Sequence, residues 1–179
     1  MKKVLIIFLV IICVGIAFSF AQKENIFYNF GMQITSPQFK NGGNIPALYT
    51  CDGKGINPPL VFKDVPKGTK SLALISDDPD APNGTWDHWV LWNISPETIE
   101  ISENSTPSGA ITGQNSWPAN ANKYGAPCPP SGSHRYFFKL YALDAMLDLP
   151  QTSRSQDLVT AMQGHILEES ELIGKYQRK

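Results

Sequence analysis

Histidine occurs at three positions, His88, His134 and His165, and two of them stand in similar settings. His88 comes where a turn-rich stretch, 77–87, gives way to the apolar run 89–94. His134 comes where a longer Gly/Pro-rich stretch gives way to 135–143. Two histidines at strand mouths beside loops can share one rim. Asp77, Asp78 and Asp80 lie on the first loop, and Tyr136 follows His134 by two, so both point to one face of an extended strand. Pro129, Pro130 and Gly132 stiffen the entry to that strand and permit close backbone approach. Imidazoles, a phenol hydroxyl and exposed backbone N–H groups make a donor-rich pocket suited to an oxyanion. A carboxylate beside a histidine would fix its tautomer, raise its pKa and keep it a donor near neutral pH. Each piece also has a plainer reading. A lone histidine in a β protein is more often structural than a ligand, Asp-Pro-Asp is a common turn, and Tyr136 suits a core. Only their coincidence favours a binding site.

Other chemistries find fewer of the residues they need. A zinc site wants three or four His, Cys or Asp ligands at close spacing, and the chain has no Cys-x-x-Cys or His-x-x-x-His pair. No metal or cofactor is therefore expected. A Gly-x-Ser-x-Gly elbow is missing, and Ser131, Ser133 or Cys128 beside His134 does not complete a nucleophile set. No catalytic residues are assigned, and the chain reads as a non-enzyme. A hydrolase using Asp78 and His88 as acid and base is the least favoured alternative.

The positioning elements read as strands. Residues 32–35 alternate apolar and polar, and Asn57-Pro58-Pro59 leads an extended segment into 60–62. Residues 71–76 and 89–94 are apolar at nearly every position, which suits strands covered on both faces. The aromatic, alternating run 135–143 is the strongest strand signal. Residues 103–130 are long, irregular and rich in Gly, Pro and Asn, the mark of a functional loop. Near the C-terminus, Ser155 can cap a helix with Leu158, Met162, His165 and Ile166 on one face. The helix would extend through 168–173 and end at Gly174. Trp86, Trp89 and Trp92 read as core, with Trp86 able to wall the pocket. Strands dominate without strand–helix–strand alternation, so the fold is expected to be mainly β, with a mainly antiparallel sheet and a helix at its margin.

Lys2 and Lys3, the apolar run 4–20 and the small residues Ser19 and Ala21 make 1–21 a signal peptide, with Gln22 the first mature residue. An uncleaved N-terminal membrane anchor is the alternative, since the run just reaches spanning length. Residues 22–30 read as a flexible leader and 31–179 as one domain. The protein is thus expected in the periplasm or outside the cell. Two cysteines then remain, Cys51 and Cys128. They can bridge in an oxidising compartment or stay buried thiols, and sequence leaves both open. A near-neutral balance, 15 basic against 16 acidic residues, excludes a nucleic-acid partner. Membrane contact would come only through the signal segment or lipid headgroups.

Several segments together resemble the phosphatidylethanolamine-binding protein family, which includes the Raf kinase inhibitor proteins. They are Asp78-Pro79-Asp80-Ala81-Pro82 with His88-Trp89, and Pro129-Pro130-x-Gly132-x-His134-Arg135-Tyr136. Tyr49-Thr50-Cys51-Asp52-Gly53 and Gly125-Ala126-Pro127-Cys128 are similar to the bacterial and archaeal branch. The resemblance implies a large antiparallel sheet, a smaller second sheet and a few peripheral helices. It implies a pocket for a small anionic or phosphorylated ligand, lined by Asp78, His88, His134 and Tyr136. Pro130 would stand in the rim and the Cys128 backbone would face the ligand. The leading functional expectation is a non-catalytic binding protein. The alternative is an inhibitor of a protein target, protease or kinase, acting through the 103–130 loop.

Overall fold

A computed structural model describes residues 31–118 and 122–179 of the chain. The expectations for 1–21 and 22–30 lie outside these residues. In chain order the strands are β1 (Gln33–Thr35), β2 (Gly43–Asn44), β3 (Leu60–Lys63), β4 (Ser71–Asp78), β5 (Trp86–Ile94), β6 (Glu100–Ile101), β7 (Ile111–Thr112), β8 (Ser133–Leu143) and β9 (Ile166–Gln177). A three-stranded sheet runs β1-β3-β6 and a six-stranded sheet runs β2-β9-β8-β4-β5-β7. Pairings are antiparallel except β2 with β9, so the large sheet is mixed. Among the described residues, a single turn of 3-10 helix, Ala47–Tyr49, and one α-helix, α1 (Ser155–Met162), complete the elements.

The main core lies between the two sheets. Ile34, Phe62 and Ile101 from the small sheet meet Leu72, Leu74, Trp89, Leu91, Tyr136, Phe138 and Leu172 from the large one. A second core covers the opposite face of the large sheet, where Ala73, Ile75, Val90 and Trp92 pack under Leu158 and Met162 of α1. β4 lies between both cores and is buried at every position. That explains its unbroken apolar run: a strand covered on both faces has no polar side to show.

Three local expectations are corrected. The C-terminal helix does not extend to Gly174. It stops at Met162, and Gly164 supplies the left-handed break, with φ +79°. Residues from Ile166 onward instead form the longest strand among the described residues, zipped to β8 from Ser133↔Gln177 to Leu143↔Ile166. His165 therefore lies in a turn, its Nδ1 2.8 Å from Asp144 Oδ1, rather than on a helix face. Several glutamates favour helix locally, but pairing along eleven β8 residues and burial of Leu172, Gly174 and Tyr176 outweigh that preference. Nor does Ser155 cap the helix. Arg154 holds the cap position, its N–H donating to Asp157 Oδ2 at 2.9 Å, while the Ser155 hydroxyl donates to Asp87 Oδ2 at 2.5 Å. Finally, Asp77, Asp78, Asp87 and His88 are strand rather than loop residues. Polarity suggested a loop, but each buried carboxylate on β4 has found a cation or imidazole on β8.

Candidate functional site

Alternation along β4 sends Asp77 and Asp78 to opposite faces. Asp77 takes a 2.6 Å bond from Lys139 on the outer face, where burial pushes its carboxyl up despite the lysine. Asp78 points inward to His134, whose Nδ1 lies 2.7 Å from Asp78 Oδ2, with both side chains more than nine-tenths buried. The other Asp78 oxygen accepts the N–H of Asp80 at 2.9 Å, so each carboxylate oxygen has a partner within the protein. Asp80 in turn clamps the start of β8. It accepts the Arg135 backbone N–H at 2.9 Å and a two-pronged guanidinium contact at 2.9 and 2.7 Å. The Arg135 hydrogen bonds hold the Asp80 carboxyl down at about 2. The 79–85 turn is thereby stapled to the strand that carries His134 and Tyr136.

His88 reaches the same place through a bulge. Ser76 pairs with Trp89 and Asp77 with Asp87, so His88 is the extra residue on β5. Strict alternation would send Trp89 and His88 to opposite faces. The bulge lets both face the main core, where the His88 ring stands edge-on to Tyr136 with centroids 5.1 Å apart. The His134 ring also packs against Tyr136, 6.5 Å away and inclined by 22°. Tyr136 thus packs against both imidazoles. Its hydroxyl is buried with no hydrogen-bond partner among the described residues. The Asp78 carboxylate is nevertheless close enough to draw on the hydroxyl proton. Burial first, and then the Asp78 charge, hold the phenolic proton firmly in place.

The long 103–130 stretch contributes groups that sequence reasoning did not single out. His88 Nδ1 is 2.7 Å from the Gly125 carbonyl oxygen, so this nitrogen carries the proton and donates. Trp117 packs edge-on against His88 at 5.0 Å and against Trp86 at 5.3 Å. Gly125 lies flat on the Trp117 ring: a Cβ there would sit 2.2 Å from Trp117 Cζ3. Buried Asn115 ties this stretch together, accepting the Trp117 N–H at 3.0 Å and donating to the Lys123 carbonyl at 2.8 Å. An asparagine and a glycine in a Gly/Pro-rich loop carry little signal of their own. Only the packing shows what they do.

His88 departs from the donor role expected of it. Burial drives its pKa down from 6.5 to about 4, against opposing help from the Gly125 carbonyl and Asp78. At neutral pH the ring is neutral, with its proton on Nδ1, and Nε2 is a lone-pair acceptor. The site therefore holds two unlike imidazoles, one bonded to a carboxylate and one to a backbone carbonyl.

Asp78, His88, His134 and Tyr136 are brought together. Cys128 and Pro130 are exposed on the approach to β8, and no hydrogen bond or ring contact joins them to these four among the described residues. Cys128 is disulfide-bonded to Cys51, with Cα atoms 5.4 Å apart, and Cys51 N–H donates to the Pro127 carbonyl at 3.0 Å. The bridge anchors the segment that presents Gly125.

A family profile described as phosphatidylethanolamine-binding protein matches residues 35–177. A UPF0098 protein of Methanothermobacter thermautotrophicus is 48% identical over 152 residues, covering 82% of this chain and 99% of its own. A UPF0098 protein of Aquifex aeolicus is 45% identical over 152 residues, covering 82% and 89%. Among solved structures, the phosphatidylethanolamine-binding protein homolog CT736 of Chlamydia trachomatis superimposes with a TM-score of 0.79. It has 42% identity and covers 83% of this chain and 99% of its own. YbcL of E. coli, described as a new member of the mammalian PEBP family, gives 0.75 at 28% identity with the same coverage.

Proposed function

Since this chain belongs to the phosphatidylethanolamine-binding protein family, we propose that it is an exported, non-catalytic binding protein whose Asp78–His88–His134–Tyr136 cluster holds a small phosphate-type anion. The observation that carries this reading is the Tyr136 hydroxyl, buried without a hydrogen bond of regular geometry on a ring that both imidazoles pack against. A buried donor without an acceptor costs about 1–3 kcal/mol, a cost that an oxyanion at this point removes. His134, oriented by Asp78 through Nδ1, leaves its far nitrogen Nε2 for the same ligand. Export is supported by the charged-then-apolar start of the chain and by the Cys51–Cys128 bridge, which suits an oxidising compartment.

Thermal unfolding tests the binding reading. Inorganic phosphate, against chloride at matched ionic strength, is expected to raise the Tm of the wild type and not of His88→Ala/His134→Ala. Equal protection of both proteins rejects the site. Amino-terminal sequencing of protein recovered outside the cytoplasm is expected to begin at Gln22.

A further inference from the structure

We infer that the outer face of the large sheet, across β4 from the histidine cluster, carries a second binding site. Its ligand is an organic dication, two amino groups joined by an apolar chain.

Strand register builds the site. Asp77 and Asp87 are direct partners across β4 and β5, so their side chains leave the same face of the sheet. Lys139, which bonds Asp77 on that face, pairs with Glu171 across β8 and β9, and Tyr141 pairs with Glu169. Two cavities open there. One, about 350 Å3, takes in Asp77, Asp87 and the start of α1, and the other, about 340 Å3, takes in Glu169 and Glu171. Lys139 and Tyr141 line both, so the cavities meet over β8 with carboxylates at either end. Neighbouring strands stand ~4.8 Å apart, which separates the two ends by roughly 10–14 Å.

The first end is short of a donor. Asp77 lines its cavity with a side chain only 7% exposed, and its Oδ1 is buried with no hydrogen-bond partner among the described residues. Lys139 occupies the other Asp77 oxygen at 2.6 Å, and the Ser155 hydroxyl occupies Asp87 Oδ2 at 2.5 Å. Burial still holds both carboxyls above the usual range. A buried acceptor left without a donor is costly, and an ammonium group brings three donors. Oδ1 is closed to solvent, and the flexible Lys139 stem beside it, a third exposed, shifts to admit the amino group. At the second end Glu169 and Glu171 are exposed and, among the described residues, in no ion pair. The middle is unlike both ends. Burial first, and then the carboxylates of Glu169, Asp77 and Glu171, push the Tyr141 phenol up to about 12, so the ring stays neutral and offers a face to methylenes. A third cation at the centre would meet Lys139. Facing the trough are therefore Asp77, Asp87, Glu169 and Glu171 against Lys139, with Arg154 near Asp87 at the edge. A metal ion suits this arrangement less well, because no three His, Cys, Asp or Glu side chains among the described residues converge to hold one.

Hexamethylenediamine and hexylamine make the comparison, since both are fully charged at about pH 7 and differ only in the second amino group. Titration at fixed ionic strength, followed by NMR of the backbone amides, is expected to show the diamine binding roughly 3- to 5-fold tighter. The shifts should centre on residues 139–141 and 169–171. Glu169→Gln/Glu171→Gln, both at exposed positions, should bring the diamine down to the affinity of hexylamine. Lys139→Met takes the resident cation from Asp77, so both amines are expected to bind about 10-fold tighter, the opposite of what lost structure would give. Equal affinities for the two amines in the wild type overturn the inference, as does no binding of either at millimolar concentration. Shifts centred on His134 and Tyr136 overturn it too. So does magnesium chloride producing the same shifts at the same concentration, which would mark a diffuse acidic surface. None of these outcomes bears on the phosphate reading, whose test uses a different ligand on the other face of β4.

Discussion

Removing the Cys51–Cys128 bridge tests how the site is held together. The cysteines are 77 residues apart in sequence. In the chain-entropy picture, opening a loop of that length returns about 15 cal/mol/K to the unfolded chain, or about 4.5 kcal/mol at 25 °C. Measured values for native bridges usually run from about 2 to 5 kcal/mol. For a domain of this size, the 4.5 kcal/mol figure corresponds to a Tm lower by roughly 9–18 °C. The native-state loss should be small, because the Cys51 N–H to Pro127 bond and the Asn115 clamp still hold the segment beside His88. The assay is urea unfolding of wild type and Cys51→Ala/Cys128→Ala, each with and without reductant. Reductant is expected to bring the wild type down to the double variant and to leave the double variant unchanged. Phosphate affinity, measured at a temperature where both proteins are folded, is expected to fall much less than stability. A double variant within about 0.5 kcal/mol of oxidised wild type would refute the entropic account. A ligand affinity lost in proportion to stability would show instead that the bridge shapes the site directly.

Two further predictions follow from the surroundings of His88. Its folded pKa of about 4 lies below the unfolded 6.5, so the unfolded chain binds the extra proton as pH falls between these values. His88 thus contributes stability that is full above 6.5 and is lost progressively down to about 4, worth about 3 kcal/mol in all. Asp77 and Asp87, with carboxyls raised by burial, work the other way, so the measurement is the difference between wild type and His88→Gln. That difference is expected to narrow on acidification, and an unchanged difference from pH 7 to pH 4 would contradict the burial argument. Gly125→Ala drives a methyl into the Trp117 ring and is expected to cost about 1–3 kcal/mol, with a shift in tryptophan emission and weaker phosphate binding. Unaltered emission and stability would show that the ring has room to move.

What the residues alone determined are the features that depend on near neighbours. The apolar run 71–76 and the aromatic alternation of 135–143 marked the two central strands, because burial on two faces or one leaves a periodicity that survives in any context. His134 and Tyr136 could be put on one face by counting two residues. Asp78 and His88 entered through the motif that contains them. Tertiary structure decided everything that depends on partners far along the chain. Residues 166–177 are helix-prone in isolation and became a strand because β8 offered a paired edge and a core for Leu172 and Tyr176. His88 faces Tyr136 only because β5 takes one residue more than β4 in their shared register, a mismatch that belongs to two strands at once. The Gly125 carbonyl, 37 positions away, then set which nitrogen of that ring carries the proton. Hydrogen bonding and desolvation are properties of the assembled surroundings, so a histidine that read as a donor in the sequence is an acceptor in the fold.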